Sequence, residues 1–526
     1  MAEKYDVVVA GAGHNGLLVA AYLAKAGAKV CVVEKQEYVG GGVVTRNLTG
    51  VPGFKHDYCS TWHGFIQPNP LMLNDELALL SKYGLKYIIP DTQTAVLFPD
   101  DEYMMIYKDI DKTCESIAQY SPRDAEAYKK FHDWAAGALD LLTQGLYNPP
   151  ASFGAMAAMF DQSEEGRDLL RCMMLSAVDI CNEWFEDPRT KIMLTRYASE
   201  GMIAPQTKGT GMVVLMFVPL QHKYGGAIPV GGSGVLSEAI ASRIRDDGGD
   251  IRLGCPVKNF KVVGGEAKGV VLETGEEILA EKALVTNFHI KQVFPGMVGE
   301  GTVDPGFVRK VGNLVHADFV AHHQEFALNE APKWKAGGVI DRSIWIELCE
   351  KDFTKFLMDF DKLTYGIPCS NFPIAIISTH YDKTRAPEGK HTLYLYHFEP
   401  YDIADGGAAK WDEINEEFAD EIFNAMKVRC TNLTDDNILG RWISNPLDYE
   451  RHNPAFVKGD ITHLASHMWQ SAGNRPLPGW NYRTPVDKLY MCGPSTHPGM
   501  GVIGGGRAAV QVVMEDLGID FEKIIA

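Results

Sequence analysis

Apolar and polar positions alternate in blocks that recur three times along the chain. Val7-Val8-Val9 is a β-branched run of the kind a strand buried on both faces carries. Residues 17–26 are small and apolar, as a helix packed against that strand would be. Val30-Cys31-Val32-Val33 is a second apolar run, ended by Glu34. Strand, helix and strand in this order predict a parallel βαβ start. In the middle, Leu236, Ile240 and Ile244 stand at helical spacing within 235–246, and Gly248-Gly249 stops them. Short strands are predicted over 251–253, 257–263, 269–272 and 282–287. The third block joins a strand running into a turn over 489–494 to a small-residue helix over 507–517.

Two longer regions separate these blocks. Residues 71–224 read as mostly helical, for example over 125–142 and 166–184. Residues 301–480 mix strand-like runs (315–328, 374–378, 391–397) with a helix over 411–428, whose acids lead and whose Lys427 and Arg429 trail, matching the helix dipole. The chain is therefore expected to be α/β. A nucleotide-binding unit is assembled from 1–70, 225–300 and 481–526, interleaved with an α+β substrate unit from 71–224 and 301–480.

The first block carries chemistry. Gly11-Ala12-Gly13-His14-Asn15-Gly16 fits G-x-G-x-x-G between the strand and the helix. The first glycine allows a tight turn, the second lets backbone approach a pyrophosphate, and the third lets helix and strand pack closely. The helix N-terminus then faces the phosphates. Glu34, 18 residues beyond Gly16, can accept both hydroxyls of a ribose. These residues predict a bound dinucleotide, NAD or FAD. Gly40-Gly41-Gly42 lets backbone pass close to a flat or charged ligand, and Arg46 can pair with phosphate. Near the end, the run from Gly493 to Gly506 again leads a Gly-rich loop into a helix, whose N–H groups could face an electron-rich ring edge.

Bulk properties narrow the partners. The 526 residues are 46% hydrophobic and 22% charged, an ordinary globular balance for more than one domain. A net charge of -18 argues against nucleic acid, which is held by basic residues, and gives no support for an anionic membrane surface. The 10 cysteines form no C-x-x-C and no zinc spacing, so reduced, buried thiols and no metal are expected. No run approaches the ~20 apolar residues of a membrane span, and residues 212–220 are too few. A cytoplasmic protein without an integral membrane segment is the expectation; such enzymes are commonly homodimers.

Taken in order, Gly11 to Gly16, Glu34, the Gly41-Gly42 loop, Pro229-x-Gly231-Gly232, Cys492-Gly493 and His497-Pro498-Gly499-x-Gly501 resemble the phytoene desaturase family of FAD oxidoreductases. Gly-His-Asn-Gly, the run from Ser121 to Tyr128 and Arg475-Pro476 resemble the subgroup related to pyridine-nucleotide-disulphide oxidoreductase domain 2. The resemblance implies a fold shared with amine oxidases, and non-covalent FAD whose N5 accepts hydride. It places the pyrophosphate at Gly11, Gly13 and Gly16, the adenosine ribose at Glu34, and the cofactor against Gly41, Gly42 and Arg46. Val257 would meet adenine. Gly493, Met500, Gly501 and Val502 would meet the ribityl chain and the flavin. Relatives often carry glycine where Met500 stands, so the space there is expected to be narrower.

The same resemblance puts residues 56–63 beside the flavin. That stretch, His-Asp-Tyr-Cys-Ser-Thr-Trp-His, is polar for a hydrocarbon enzyme. His63 and Tyr58 are the candidate general bases, able also to hold a substrate carbonyl. Trp62 and His497 are candidates to line the substrate. The resulting expectation is a FAD-dependent dehydrogenase that introduces a C–C double bond into a small cyclic ketone or carboxylate. Alternatives are a carotenoid or polyene desaturase, a flavin amine oxidase, and a flavin-binding interaction protein with little turnover. Oxygen, a quinone or a protein would take the electrons.

Overall fold

A computed structural model describes residues 3–526: two sheets of seven strands each and two short two-stranded pairings, with helices between and around them. The first sheet runs in the order Val257–Val263, Glu266–Leu272, Glu277–Thr286, Glu3–Ala10, Val30–Val33, Asp250–Arg252. Leu489–Met491 joins it beside the far end of Glu277–Thr286. Glu3–Ala10 is parallel to both of its neighbours, as are Val30–Val33 to Asp250–Arg252 and Glu277–Thr286 to Leu489–Met491. The hairpin of 257–272 is antiparallel. One sheet thus draws strands from 3–33, 250–286 and 489–491.

Parallel strands end at a common edge. Ala10, Val33, Arg252, Thr286 and Met491 all finish there, and the residues that follow are stitched together. Gly11 N donates to Val33 O (2.8 Å), Glu34 N to Arg252 O (2.9 Å) and Cys492 N to Thr286 O (2.9 Å). Ligands of open parallel sheets bind at this carboxyl edge. The helices His14–Lys25, Gly234–Asp246 and Gly506–Asp516 cover one face through Leu18, Tyr22, Leu236, Ile240, Val510 and Val513, all buried.

The second sheet runs Ile438–Ser444, Val320–Leu328, His391–Glu399, Ile374–Ile376, Trp345–Leu348, Thr92–Leu97, Tyr103–Tyr107. Helix Trp411–Lys427 packs on one face against Phe326, Ile346, Leu393 and Leu395. The other face presents Tyr394, Tyr396, Phe398 and Trp345 to helices Pro188–Ser199 and Gly211–Lys223 and to Tyr58. The stretch read as mostly helical, 71–224, also supplies two strands of this sheet, 92–97 and 103–107, and the 166–184 pattern is two helices broken at Leu175. Ser163 and Ser176 each cap one of them, so the break is a local capping preference that apolar spacing alone conceals. The strand expected from 315 begins only at Val320.

Two buried arginines join the sheets' surroundings. Arg385, 2% exposed, pairs with Asp57 and with Asp382 (3.0 Å) and donates to Pro229 O (2.9 Å). Asp57 also accepts Thr45 Oγ1 (2.6 Å) and Ser233 N (2.8 Å), and Asp382 accepts Gly231 N (2.7 Å). Arg507 pairs with buried Glu76 (2.7 Å), fixing the closing helix. Among the described residues, no helix is long and apolar enough to cross a membrane.

Candidate dinucleotide site

A cavity of about 420 Å³ opens at the carboxyl edge of the first sheet. Its walls include Gly11, Gly13, His14 and Asn15, then Glu34, Gly41 and Gly42, Pro256 and Val257, and, further along, Cys59, Ser60, His463, Gly501 and Val502. Backbone geometry explains why glycines stand here. A Cβ on Gly13 would lie 2.5 Å from the Asn287 amide, and one on Gly16 would lie 2.5 Å from Gly11 O. Gly11 has φ +97°, in the region that favours glycine. The second Gly loop rests directly on the first: Gly40 N donates to Ala12 O (2.8 Å), and a Cβ on Gly41 would come within 3.2 Å of Gly13 Cα.

Helix His14–Lys25 begins at Gly13 with no side-chain cap and no acid in its first turn. Its leading N–H groups therefore remain available to an anion. Asn15 turns away from that role; its Oδ1 accepts Gly506 N (3.0 Å) and ties the opening helix to the closing one. Glu34 accepts Ala12 N (2.7 Å) on one carboxylate oxygen and Gln36 N (2.9 Å) on the other. Burial pushes its carboxyl up, and those two N–H groups draw it back. Asn287, at the end of strand Glu277–Thr286, spans the glycines: turned with its nitrogen toward Ala10 O (3.2 Å), its oxygen accepts Gly13 N (3.2 Å).

A strap crosses the cavity at 452–456. Gln36 Nε2 donates to His452 O (3.1 Å), Tyr38 Oη meets His452 Nε2 (3.0 Å), and Gln292 Nε2 donates to Pro454 O (2.5 Å). Tyr58 stacks on His452 from behind at 4.0 Å.

The residues singled out above divide accordingly. Gly11, Gly13, Glu34, Gly41, Gly42, Val257, Gly501 and Val502 come together on the walls. Gly16 and Gly493 lie one layer behind, shaping the backbone; a Cβ on Gly493 would meet Asn287 O at 2.7 Å. Met500 is half-buried outside the wall. Arg46 is exposed, and its guanidinium stacks on Tyr38 (3.3 Å to the ring centre) instead of reaching the cavity.

The candidate bases are placed differently from the expectation. His63 is buried, with Nδ1 3.0 Å from Tyr87 Oη and Nε2 3.1 Å from Ser233 Oγ. The Ser233 hydroxyl proton goes to Ser60 O, so His63 Nε2–H donates to Ser233 and Nδ1 accepts from Tyr87. Both nitrogens are engaged, and burial pushes the imidazole down to about 3. Neither His63 nor Tyr58 reaches the wall; Tyr58 is packed among His452, Tyr449 and Trp442. Trp62 also lies off the wall. It stacks on Phe217 (6.0 Å) and fills the space over Gly226. His497 Nε2 donates to Gly145 O (2.8 Å), a structural tie.

Residues that spacing did not single out complete the site: Asn287, Gln36, Tyr38, His452 and His463. Asn287 had a usable signal, since it follows a parallel strand. His452 ends a short helix and His463 sits in a loop, and neither belongs to a motif. The cavity's far end meets the second sheet directly: Tyr394 Oη donates to the carbonyl of Cys59, a wall residue (2.7 Å). Behind Tyr394 stand Tyr396, Trp345, Glu347, Glu200 and Arg196, an aromatic and polar set. Glu347, wholly buried, is pushed up to about 8 by desolvation, with Arg196 opposing.

Residues 9–74 match the family of NAD(P)-binding Rossmann-like domains. Over 98% of its length the chain is 29% identical to pyridine nucleotide-disulfide oxidoreductase domain-containing protein 2 of Rattus norvegicus, covering 94% of that protein. It is 27% identical to a limonene dehydrogenase polypeptide of Castellaniella defragrans, over 98% of this chain and 96% of that one. Among solved structures, putrescine oxidase bound to putrescine shares the fold, with a TM-score of 0.62 at 14% identity over 98% of this chain and 100% of that one.

Proposed function

We propose that this chain, which fits the phytoene desaturase-type family of oxidoreductases, is a FAD-dependent dehydrogenase introducing a C–C double bond into a small cyclic ketone or carboxylate. The observation that carries the reading is the continuity of one cavity, from the glycine turn and Glu34 to Cys59 and Ser60, where it abuts the polar, aromatic face of the second sheet. The donor set suits FAD. Gly11 and Gly13 leave room for a pyrophosphate, the uncapped helix His14–Lys25 offers N–H groups to it, and Glu34 retains acceptor capacity for ribose hydroxyls. Pro256 and Val257 supply a flat apolar wall for adenine. Gly501 and Val502, leading into helix Gly506–Asp516, receive the ring end.

When bound, FAD supplies the hydride acceptor. The protein's residues bind, orient and exclude water. Phe288, Met297, Phe456 and Ile461 close the cavity with apolar surface, and the strap at 452–456 is held by Gln36, Tyr38 and Gln292. A substrate next to Cys59 would lie against the wall that Tyr394 supports through the Cys59 carbonyl, with Trp62, Trp345 and Tyr396 behind that wall. That polarity favours a substrate carrying oxygen over a plain polyene. The reaction would pass hydride from one carbon to the bound flavin and release a proton from the neighbouring carbon to solvent.

An anaerobic absorbance titration of the purified protein against ring ketones, cyclic acids, polyenes and amines tests this. Bleaching of the flavin band near ~450 nm by ring ketones or acids, with a product two hydrogens lighter, supports the proposal. Bleaching by polyenes or amines alone moves the assignment to those substrates. Reconstituted protein without flavin ends it.

A further inference from the structure

We infer that His463 is a cofactor-contacting residue: a neutral imidazole fixed with its Nε2–H as donor into the cavity, toward an acceptor atom on the edge of the bound ring system. The inference rests on FAD occupying this cavity, as proposed above.

Four observations carry it. His463 is buried yet lies on the cavity wall, among Ile461, Pro494, Gly501 and Val502. Its protonation is set by its neighbours. Ser495 Oγ accepts Ile290 N (3.0 Å), and the hydroxyl's remaining contact is His463 Nδ1 (3.0 Å). Ser495 is wholly buried, so its proton goes to that nitrogen, Nδ1 is an acceptor, and a neutral ring carries its hydrogen on Nε2. Burial holds the ring well below the usual imidazole range, with His289 acting in the same direction. The ring is therefore uncharged.

The backbone is the third observation. His463 has φ +63°, a conformation uncommon for residues other than glycine. Such backbone persists where surrounding contacts over-determine it, and it gathers at functional sites. Here three successive carbonyls are held. Arg475 Nη2 donates to Thr462 O (2.8 Å) and Leu464 O (2.9 Å), and His289 Nε2 donates to His463 O (2.8 Å). Asp460 holds the Thr462 N–H (2.8 Å). Fourth, Arg475 also donates to Pro494 O (2.7 Å). One buried guanidinium therefore fixes the His463 turn to the loop that enters Gly501.

A donor at the ring edge stabilises the more electron-rich reduced flavin over the oxidised form. The test is a dye-equilibrated reductive titration of the full-length FAD-loaded protein, with the visible band recorded. His463→Asn is the leading variant, because asparagine tolerates positive φ and its amide is too short to reach where Nε2 stood. It is expected to fold, to favour reduction about tenfold less (~30 mV lower midpoint) and to shift the flavin band. His463→Gln restores an N–H donor at greater reach and is expected to recover most of the potential. An unchanged midpoint and band in His463→Asn would overturn the inference. Should that variant not fold, Ser495→Ala frees the Nδ1 tautomer and is expected to lower the midpoint by a smaller factor; no change there overturns it equally. Wild-type protein that takes up no flavin removes this inference and the proposed cofactor together, whereas loaded wild type with unmoved variants removes this inference alone.

Discussion

Glu34 reaches back across the glycine turn: its carboxylate accepts the backbone N–H of Ala12 at 2.7 Å, inside the turn that a pyrophosphate would approach. The residue that would bind ribose also holds the shape of the phosphate loop. Glu34→Gln leaves one oxygen for two N–H groups and turns an amide N–H toward a donor. FAD affinity is expected to fall about 10–100-fold, or ~1.4–2.8 kcal/mol, measured by fluorescence titration of the apoprotein. An affinity within twofold of wild type would show that Glu34 has no such role.

Gly13→Ala tests the close approach of Asn287. The added methyl meets an amide 2.5 Å away, and Asn287 has to leave the loop. Overpacking of this kind costs about 1–3 kcal/mol, so a lower melting temperature and loss of bound flavin on gel filtration are expected. Gly13→Ala with Asn287→Gly is expected to recover folding but not full flavin retention.

Arg475 is the sole cation for five backbone carbonyls and has no carboxylate in hydrogen-bond contact among the described residues. Desolvation pushes it down to about 10, so it stays protonated at neutral pH. Lysine cannot fork to that many acceptors. Arg475→Lys is expected to destabilise the protein by about 3 kcal/mol or more, seen in denaturant unfolding, and to release flavin at temperatures where wild type retains it.

His63→Gln distinguishes a base from a structural tie. Removal of a general base costs ~10²–10⁴ in turnover. With both nitrogens engaged by Tyr87 and Ser233, the variant is expected to keep kcat within about tenfold once a substrate is found. A hundredfold loss at unchanged melting temperature would restore His63 as a base.

Glu347 gives a pH signature. Its carboxyl is pushed up to about 8 in the folded protein, above its ordinary range when unfolded. The folded state then binds the extra proton, so stability falls as pH rises from ~4.5 toward 8 and levels off above that. Glu347→Gln keeps an oxygen for Trp345 Nε1 and cannot ionise. Its melting temperature is expected to exceed wild type by a margin that widens from pH 5 to pH 8. A margin independent of pH would show that Glu347 is not the titrating group.

Val7 to Glu34 was legible because a strand, a turn and a strand obey local rules: β-branched runs, glycines at fixed spacing, an acid at the strand end. Gly501 and Val502 were legible through a similar loop. His63 shows what spacing leaves unread, because a histidine near a cofactor reads alike whether its nitrogens are free or engaged. Its partners Tyr87 and Ser233 arrive from 24 and 170 residues away. His463 was invisible for a related reason. Its meaning comes from Ser495, His289 and Arg475, and no spacing rule links residues joined only by folding. The strands at 92–97 and 103–107 went unread inside a helical region: they form a local hairpin, but only 92–97 is anchored in the sheet, by Trp345–Leu348 far along the chain.

The first sheet gathers its strands from 3–33, 250–286 and 489–491. During synthesis, then, the cofactor cradle stays open until Leu489–Met491 and Gly506–Asp516 have been made. A ribosome that has made the glycine turn and Glu34 must add more than four hundred residues before Leu489–Met491 and the Gly506–Asp516 helix emerge to complete the edge. Until then Leu17, Leu18 and Tyr22, which pack against that last helix, stay uncovered. Chains truncated before residue 489 are therefore expected to expose this apolar face and to aggregate rather than to be partly active.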